Sequence, residues 1–145
     1  MKVSLIIPAY NEAEGVEQTT AKLRPVLAGL RERYETEIVF VDDGSTDATK
    51  ALLEAAFAGD PDVKIVPHGV NRGLGAAIRT GFAHATGDIV VTTDFDGTYS
   101  FDVIPVLIEQ LLRDNVDIVT ASPYHPKGAV EGVPQVLDDR GLPRA

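Results

Sequence analysis

The sequence predicts an α/β fold: an open, mainly parallel twisted sheet with helices on both faces. Three observations predict it. Short apolar or β-branched runs alternate along the chain with segments whose apolar residues follow helical spacing. The strand runs are apolar throughout rather than alternating, as strands covered on both sides must be. The segments between them are long enough for the crossover helices that parallel neighbours require.

The elements follow in order. Val3 to Ile7 is the first strand, and it ends in Pro8-Ala9-Tyr10-Asn11-Glu12. A helical stripe at Val16, Thr20, Leu23, Leu27 and Leu30 comes next, with Pro25 expected to kink or divide the helix. Glu37 to Val41 is the second strand; Asp42-Asp43-Gly44-Ser45-Thr46-Asp47 follows it and offers N-cap side chains to a helix over Ala48 to Phe57. Asp60-Pro61-Asp62 is a turn, and Val63 to Val66 a short third strand. Asn71 to Gly75 leads into a helix whose apolar side is expected to carry Leu74, Ala77, Ile78, Phe82 and Ala85, with Gly81 allowing close approach. Asp88 to Thr93 is the fourth strand. Asp102 can cap a further helix with Pro105 in its first turn and Ile104, Leu107, Ile108 and Leu111 as its stripe. Val116 to Ala121 is expected as a fifth strand. Residues 1–125 thus form one domain, and 126–145, rich in glycine and proline, read as an irregular loop or tail.

Composition narrows the function. A chain of 145 residues with 44% hydrophobic content supports one domain with a real core. A net charge of −9, with only 13 Lys and Arg, argues against a general nucleic-acid binder. A phosphate-bearing substrate would need a metal or a local basic group. There are no cysteines, so disulfides and thiolate metal sites are excluded. The apolar runs are strand-length, far below the ~18 residues of a membrane span, and the N-terminus lacks a signal-peptide pattern. The chain reads as soluble and cytoplasmic.

In open α/β sheets, ligands bind outside the carboxyl ends of the strands. Three such ends carry polar groups here: Pro8 to Glu12, Asp42 to Asp47, and Asp94 to Thr98. If extended backbone persists to Asp96, Asp94 and Asp96 fall on one side of the chain and Phe95 on the other. Two close carboxylates suit Mg²⁺ or Mn²⁺ shared with substrate phosphates. Asp-Phe-Asp-Gly can equally be a turn in which the aspartates bond their own backbone and Gly97 takes a positive φ. No glycine-rich turn follows the first strand, so a dinucleotide fold of the usual kind is excluded. Gly73-Leu-Gly75-Ala-Ala-Ile78 carries half of that fingerprint, after the wrong strand, and reads as helix-start packing. His68, His84 and His125 lack metal-ligand spacing and receive no role.

SLIIPAYNE (Ser4 to Glu12), VDDGSTD (Val41 to Asp47), NRGLGAAIRTGFAHATGD (Asn71 to Asp88) and TDFDGTY (Thr93 to Tyr99) stand in the order and spacing of the family 2 glycosyltransferases of the GT-A fold. Within that family the chain most resembles the polyprenyl-phosphate, or dolichyl-phosphate, mannosyl- and glucosyltransferases. The resemblance covers about residues 3 to 125 and rests on four motifs in register. It implies a metal-dependent transferase that moves a hexose from a GDP- or UDP-linked donor, with inversion, to a polyprenyl phosphate. On the matching positions it implies a nucleoside pocket of Pro8, Tyr10, Glu12, Val41 and Asp43. It makes Asp94 and Asp96 the catalytic and metal motif, with Thr98 in the metal shell, for Mg²⁺ or Mn²⁺. A lipid-phosphate acceptor implies peripheral contact with the inner face of a membrane, and oligomerisation is left open.

Two departures stand out. Many lipid-phosphate transferases have Ser-Arg-Tyr after the fifth strand where this chain has Ser122-Pro123-Tyr124, and Lys127 is the nearby candidate for the missing diphosphate or acceptor cation. Family members also continue well beyond the length seen here, so the chain reads as C-terminally short. A donor-binding fragment without turnover is therefore one alternative. A sugar-phosphate nucleotidyltransferase is another, although Pro8 to Glu12 replaces its glycine- and basic-rich loop.

Overall fold

The structure, a computed structural model, describes residues 1–121. The chain divides into two compact units, the first spanning Met1–Val106 and the second beginning at Leu107. In the first, four strands form one sheet: β1 (Lys2–Ala9), β2 (Glu35–Asp42), β3 (Val63–Pro67) and β4 (Ile89–Thr92). Their order is β3-β2-β1-β4 and every neighbouring pair is parallel. The connections are α1 (Val16–Arg31), preceded by a 3₁₀ turn at Ala13–Gly15, then α2 (Thr49–Ala56) and α3 (Leu74–His84). A last helix, α4 (Val103–Asp114), runs across the boundary between the units.

Strand order fixes where the helices go. From β1 to β2 to β3 the chain steps in one direction, and from β3 to β4 it jumps back past both. Right-handed crossovers then put α1 and α2 on one face and α3 on the other. The contacts agree, since α1 meets α2 and β2 while α3 meets β1 and β2. The direction reverses between β1 and β4, so their carboxyl ends flank the switch point of the sheet.

The core lies in the two central strands. Leu5, Ile6 and Ile7 of β1 and Ile38, Val39, Phe40 and Val41 of β2 are fully buried, which accounts for their uninterrupted apolar character. Successive side chains serve opposite faces. Phe40 meets Phe57 at 5.3 Å and Phe95 at 6.4 Å between ring centroids. On the other face Val39 and Val41 pack with Ala77 and Val66. Gly81 makes that second packing possible, because a Cβ there would sit 2.3 Å from Ile6 Cγ2.

The end of the sheet away from the strand carboxyl termini is pinned by Glu37. Its Oε1 accepts from Ser4 Oγ at 2.6 Å and from Thr86 N at 2.6 Å, and its Oε2 faces Lys2 Nζ at 3.2 Å and Lys64 Nζ at 3.1 Å. Burial pushes the acid up, but these donors outweigh it and hold it at about 2, below its ordinary 4.5.

Three expectations need correction. Pro25 does not divide α1, which is continuous through it. Pro25 and Ala21, whose carbonyl loses its donor, both lie on the exposed side of α1, while Leu23, Val26, Leu27 and Leu30 hold the buried side. Leu74 and Phe82 are not on the buried side of α3, being 62% and 52% exposed; Ala77 and Gly81 hold that position. A backbone lying this close to β1 admits only small residues, so the larger apolar ones turn outward. Finally, residues 116–121 form no strand, and Ile118 is 79% exposed. An apolar run becomes a strand only where a neighbour supplies the ladder, and none does among the described residues. The tail expected at 126–145 lies outside the described residues.

Candidate active site

All three polar strand ends meet in one cleft of about 310 Å³. Pro8, Ala9, Tyr10 and Glu12 line it from the end of β1, Asp43 from the end of β2, Asn71, Gly73, Leu74 and Ala77 from the start of α3, and Asp94, Phe95 and Asp96 from the end of β4. Four of these side chains are carboxylates and none is a lysine or arginine. Burial first, then the charges of Asp96 and Asp47, raise Glu12 above its ordinary carboxylate range.

The acidic wall is held by the residue between the acids. β4 ends at Thr92, so extended backbone does not persist to Asp96. Residues 95–96 turn, Gly97 takes φ +68°, and Asp96 Oδ1 accepts from Thr98 N at 3.0 Å and Thr98 Oγ1 at 2.8 Å. The turn expected from the motif is therefore present. Asp94 and Asp96 are exposed while Phe95 is buried, with its carbonyl accepting from Thr19 Oγ1 of α1 at 2.9 Å. Anchoring Phe95 aims both neighbouring carboxylates outward.

The opposite wall, from Tyr10 to Ala13, is stitched to the loop after β2. Asn11 N bonds Ser45 Oγ at 2.9 Å, Glu12 N bonds Thr49 Oγ1 at 2.9 Å, Ala13 N bonds Asp47 Oδ2 at 3.2 Å, and Asn11 Oδ1 accepts from Thr46 N at 2.8 Å. Asp47 also takes the Thr49 N at 2.9 Å, capping α2 although Ala48 occupies the cap position itself. The hydroxyl of Thr49, then its backbone N–H and that of Ala13, hold Asp47 below its usual range. Tyr10, carried on this braced segment, is 45% exposed at the cleft.

Asp43 and Asp42 part company. Asp42 is buried and its Oδ1 braces the turn through Ser45 N at 3.3 Å. Asp43 is buried in the cleft wall, where Oδ1 accepts from Arg72 N at 2.8 Å and Oδ2 from Gly73 N at 3.0 Å. Burial raises its acid, but the Arg72 N–H, His68 and the Gly73 N–H outweigh that and leave it lowered. The loop can approach this closely because residue 44 is glycine: at φ +74°, a Cβ would lie 2.2 Å from the Val70 carbonyl carbon.

Of the residues expected at the site, Pro8, Tyr10, Glu12, Asp43, Asp94 and Asp96 are brought together. Val41 lies behind the wall, fully buried against Ala77, and Thr98 spends its hydroxyl on Asp96. Lys127 lies outside the described residues. Sequence reasoning did not foresee His68, Asn71, Leu74 or the clasp of Asn11, Asp47 and Thr49. Asn11 carried a signal as an asparagine in a strand-end turn, and Asp47 as one of the cap candidates before α2. Among the described residues no group of three or more His, Asp or Glu is arranged to hold a metal. Asp94 and Asp96 bring two exposed carboxylates to the cleft, donors of the kind a hard divalent ion takes alongside water and ligand oxygens.

Comparison with known proteins bears on the family and the fold. The profile of the family described as Glycosyl transferase family 2 matches residues 4–139. A dolichol-phosphate mannosyltransferase of Pyrococcus furiosus is 39% identical over 134 residues, 92% of this chain and 36% of its own length. A prophage bactoprenol glucosyl transferase homolog of Escherichia coli is 39% identical over 110 residues, 76% of this chain and 35% of its own. A solved mannosyltransferase from Pyrobaculum calidifontis, in complex with GDP-Man and Mn²⁺, superposes with a TM-score of 0.62 at 31% identity, covering 75% of this chain and 32% of that one. The chain thus spans about a third of the length of the curated relatives it matches.

Proposed function

The chain belongs to glycosyl transferase family 2, and from that premise we propose that its cleft is the donor site of a hexosyltransferase using a nucleoside-diphosphate sugar, with a polyprenyl phosphate as acceptor. The observation that carries the reading is the cleft itself: the Tyr10 ring and four carboxylates from three strand ends, at the switch point, with no lysine or arginine among the described residues that line it. A diphosphate could not enter such a field unaided.

Roles follow from position. Tyr10 offers a ring face to the base, and Asp43 and Glu12 accept from the N–H and hydroxyl groups of the nucleoside. Asp94 and Asp96 would hold Mg²⁺ or Mn²⁺ with the donor diphosphate; when bound, the ion neutralises charge on the departing nucleoside diphosphate. The acceptor phosphate oxygen attacks the anomeric carbon as the bond to the diphosphate breaks on the opposite side, so configuration inverts. The transition state resembles an oxocarbenium ion, as in glycoside cleavage. An acceptor already ionised at neutral pH needs no general base. Lys127 is proposed to meet the diphosphate or acceptor. The dolichol-phosphate and bactoprenol relatives support the lipid-phosphate acceptor. No helix among the described residues is long and apolar enough to cross a membrane, so contact with lipid would be peripheral there.

A second reading, nucleotide binding without turnover, is favoured by one observation: the cleft-lining residues among those described all fall between 8 and 96. The deciding experiment is calorimetric titration with UDP and GDP, each with and without Mn²⁺, followed by an assay for transfer of labelled hexose to a polyprenyl phosphate. Metal-dependent binding of one nucleotide with transfer supports the hexosyltransferase; binding without transfer leaves the second reading. Asp96→Asn should abolish the Mn²⁺ dependence while leaving thermal unfolding nearly unchanged. Equal loss of fold and binding would remove Asp96 from the metal role.

A further inference from the structure

Behind the cleft wall lies a buried histidine that the proposed chemistry does not use. His68 follows β3, and its backbone N–H bonds Asp42 O at 2.9 Å. Its Nδ1 is 2.8 Å from Asp43 Oδ1 and its Nε2 is 2.7 Å from Thr80 Oγ1 of α3. The side chains of His68 and Asp43 are almost wholly buried, 4% and 6% exposed.

The hydrogen-bond roles can be worked out. Asp43 accepts from a backbone N–H on each oxygen and its acid is lowered, so it stands as a carboxylate with no proton to give. Nδ1 must therefore be the donor in its bond. Nε2 pairs with the Thr80 hydroxyl, which gives its hydrogen to a neutral ring and accepts one from a charged ring. The chain Thr80–His68–Asp43 links α3 to the cleft wall. Asp43 Oδ1 thereby has two donors and Oδ2 one, which leaves Oδ2 the freer oxygen in the wall.

We propose that His68 is a positioning residue for donor recognition, fixing the Asp43 carboxylate through Nδ1–H so that Oδ2 is presented to the nucleoside, while Thr80 fixes the imidazole. This rests on the donor-site reading above. Without the Nδ1 donor the carboxylate is held by the Arg72 and Gly73 amides alone, and both amides bond a less firmly fixed acceptor. The segment Asn71 to Gly73 contributes two residues to the cleft, so the nucleoside end loosens as a whole.

Two amide substitutions separate positioning from space-filling. His68→Asn puts an N–H near Nδ1, toward Asp43; His68→Gln puts one near Nε2, toward Thr80. The test titrates UDP and GDP with Mn²⁺ and, in parallel, measures amide exchange at Arg72 and Gly73 by NMR on the ¹⁵N-labelled chain without nucleotide. His68→Ala and His68→Gln should weaken the preferred nucleotide about tenfold, as expected for loss of one bond to a charged group, and speed exchange at both amides. His68→Asn should stay within about threefold of the unmodified chain. Thr80→Val should give an intermediate loss. Equal affinity in all variants, or rescue by Gln as good as by Asn, overturns the proposal. Should His68→Ala fail to fold, the Asn and Gln pair carries the comparison. If the unmodified chain binds neither nucleotide, the donor reading falls, and the exchange data alone decide whether His68 positions Asp43.

Discussion

Asn11 holds a left-handed backbone, φ +50°, at the point where β1 hands over to the cleft. Asparagine tolerates this conformation better than most residues because its short side chain can bond nearby backbone. Here the side chain bonds across to Thr46, so one residue both turns its own chain and ties it to the next loop. Gly44 does the complementary work by having no side chain. Replacing it with alanine combines an unfavourable positive φ with a Cβ driven into the Val70 backbone. Gly44→Ala should lower unfolding free energy by about 3 kcal/mol, read from urea denaturation, and weaken nucleotide binding with it because Asn71 and Gly73 must shift. Unchanged stability would show that the loop retreats without strain. These two positions also show what the sequence conveys at this scale. Asn and Gly near strand ends announce turns, but which backbone they approach is decided by loops far away in the chain. His68 was invisible for the same reason: its partners Asp43 and Thr80 lie 25 and 12 residues away, on different elements.

At the scale of elements, the strands were the legible part. β1 and β2 are apolar on both sides because both sides are covered, and that pattern needs no knowledge of partners. The helices were misjudged wherever the neighbour mattered. Large residues on α3 seemed to define its inner side, but the close approach at Gly81 reserves that side for small ones. The run at residues 116–121 has strand composition without a partner strand among the described residues. Pro25 should break a helix by local rules, and α1 overrides it through the burial of Val16, Leu23, Val26, Leu27 and Leu30. The cost remains in the folded protein. Pro25→Ala should therefore stabilise the chain by about 1 to 2 kcal/mol, the helix-interior penalty less the extra freedom alanine gives the unfolded chain. A rise in melting temperature checks this; a fall would mean that the proline stiffens the unfolded state more than it strains α1.

Across the whole molecule, the two ends of the sheet carry opposite electrostatic designs. At one end Glu37 is surrounded by donors, and at the other Glu12, Asp94 and Asp96 face a cleft that no lysine or arginine among the described residues lines. The acids of the cleft were legible because strand ends collect function in this class of fold. The Glu37 cluster was not, since a charged residue inside an apolar strand gives no hint of its partners. Its acid is lowered in the folded state, so its contribution is complete above pH 4.5 and is lost as pH falls toward 2. That contribution is about 3 kcal/mol at neutral pH. Urea midpoints of the unmodified chain should fall steeply across this window, whereas those of Glu37→Gln should start lower and fall less. Parallel curves would assign the acid sensitivity to other carboxylates.

The strand order also sets a timetable. β1, β2 and β3 are adjacent in the sheet and complete in the chain by Pro67, whereas β4 must return to the far edge of β1. During synthesis at ~5–20 residues per second, Tyr10, Glu12 and Asp43 are in the chain seconds before Asp94 and Asp96 are added. Because β4 closes the sheet last, the two halves of the cleft can meet only once the residues of the aspartate pair have been made.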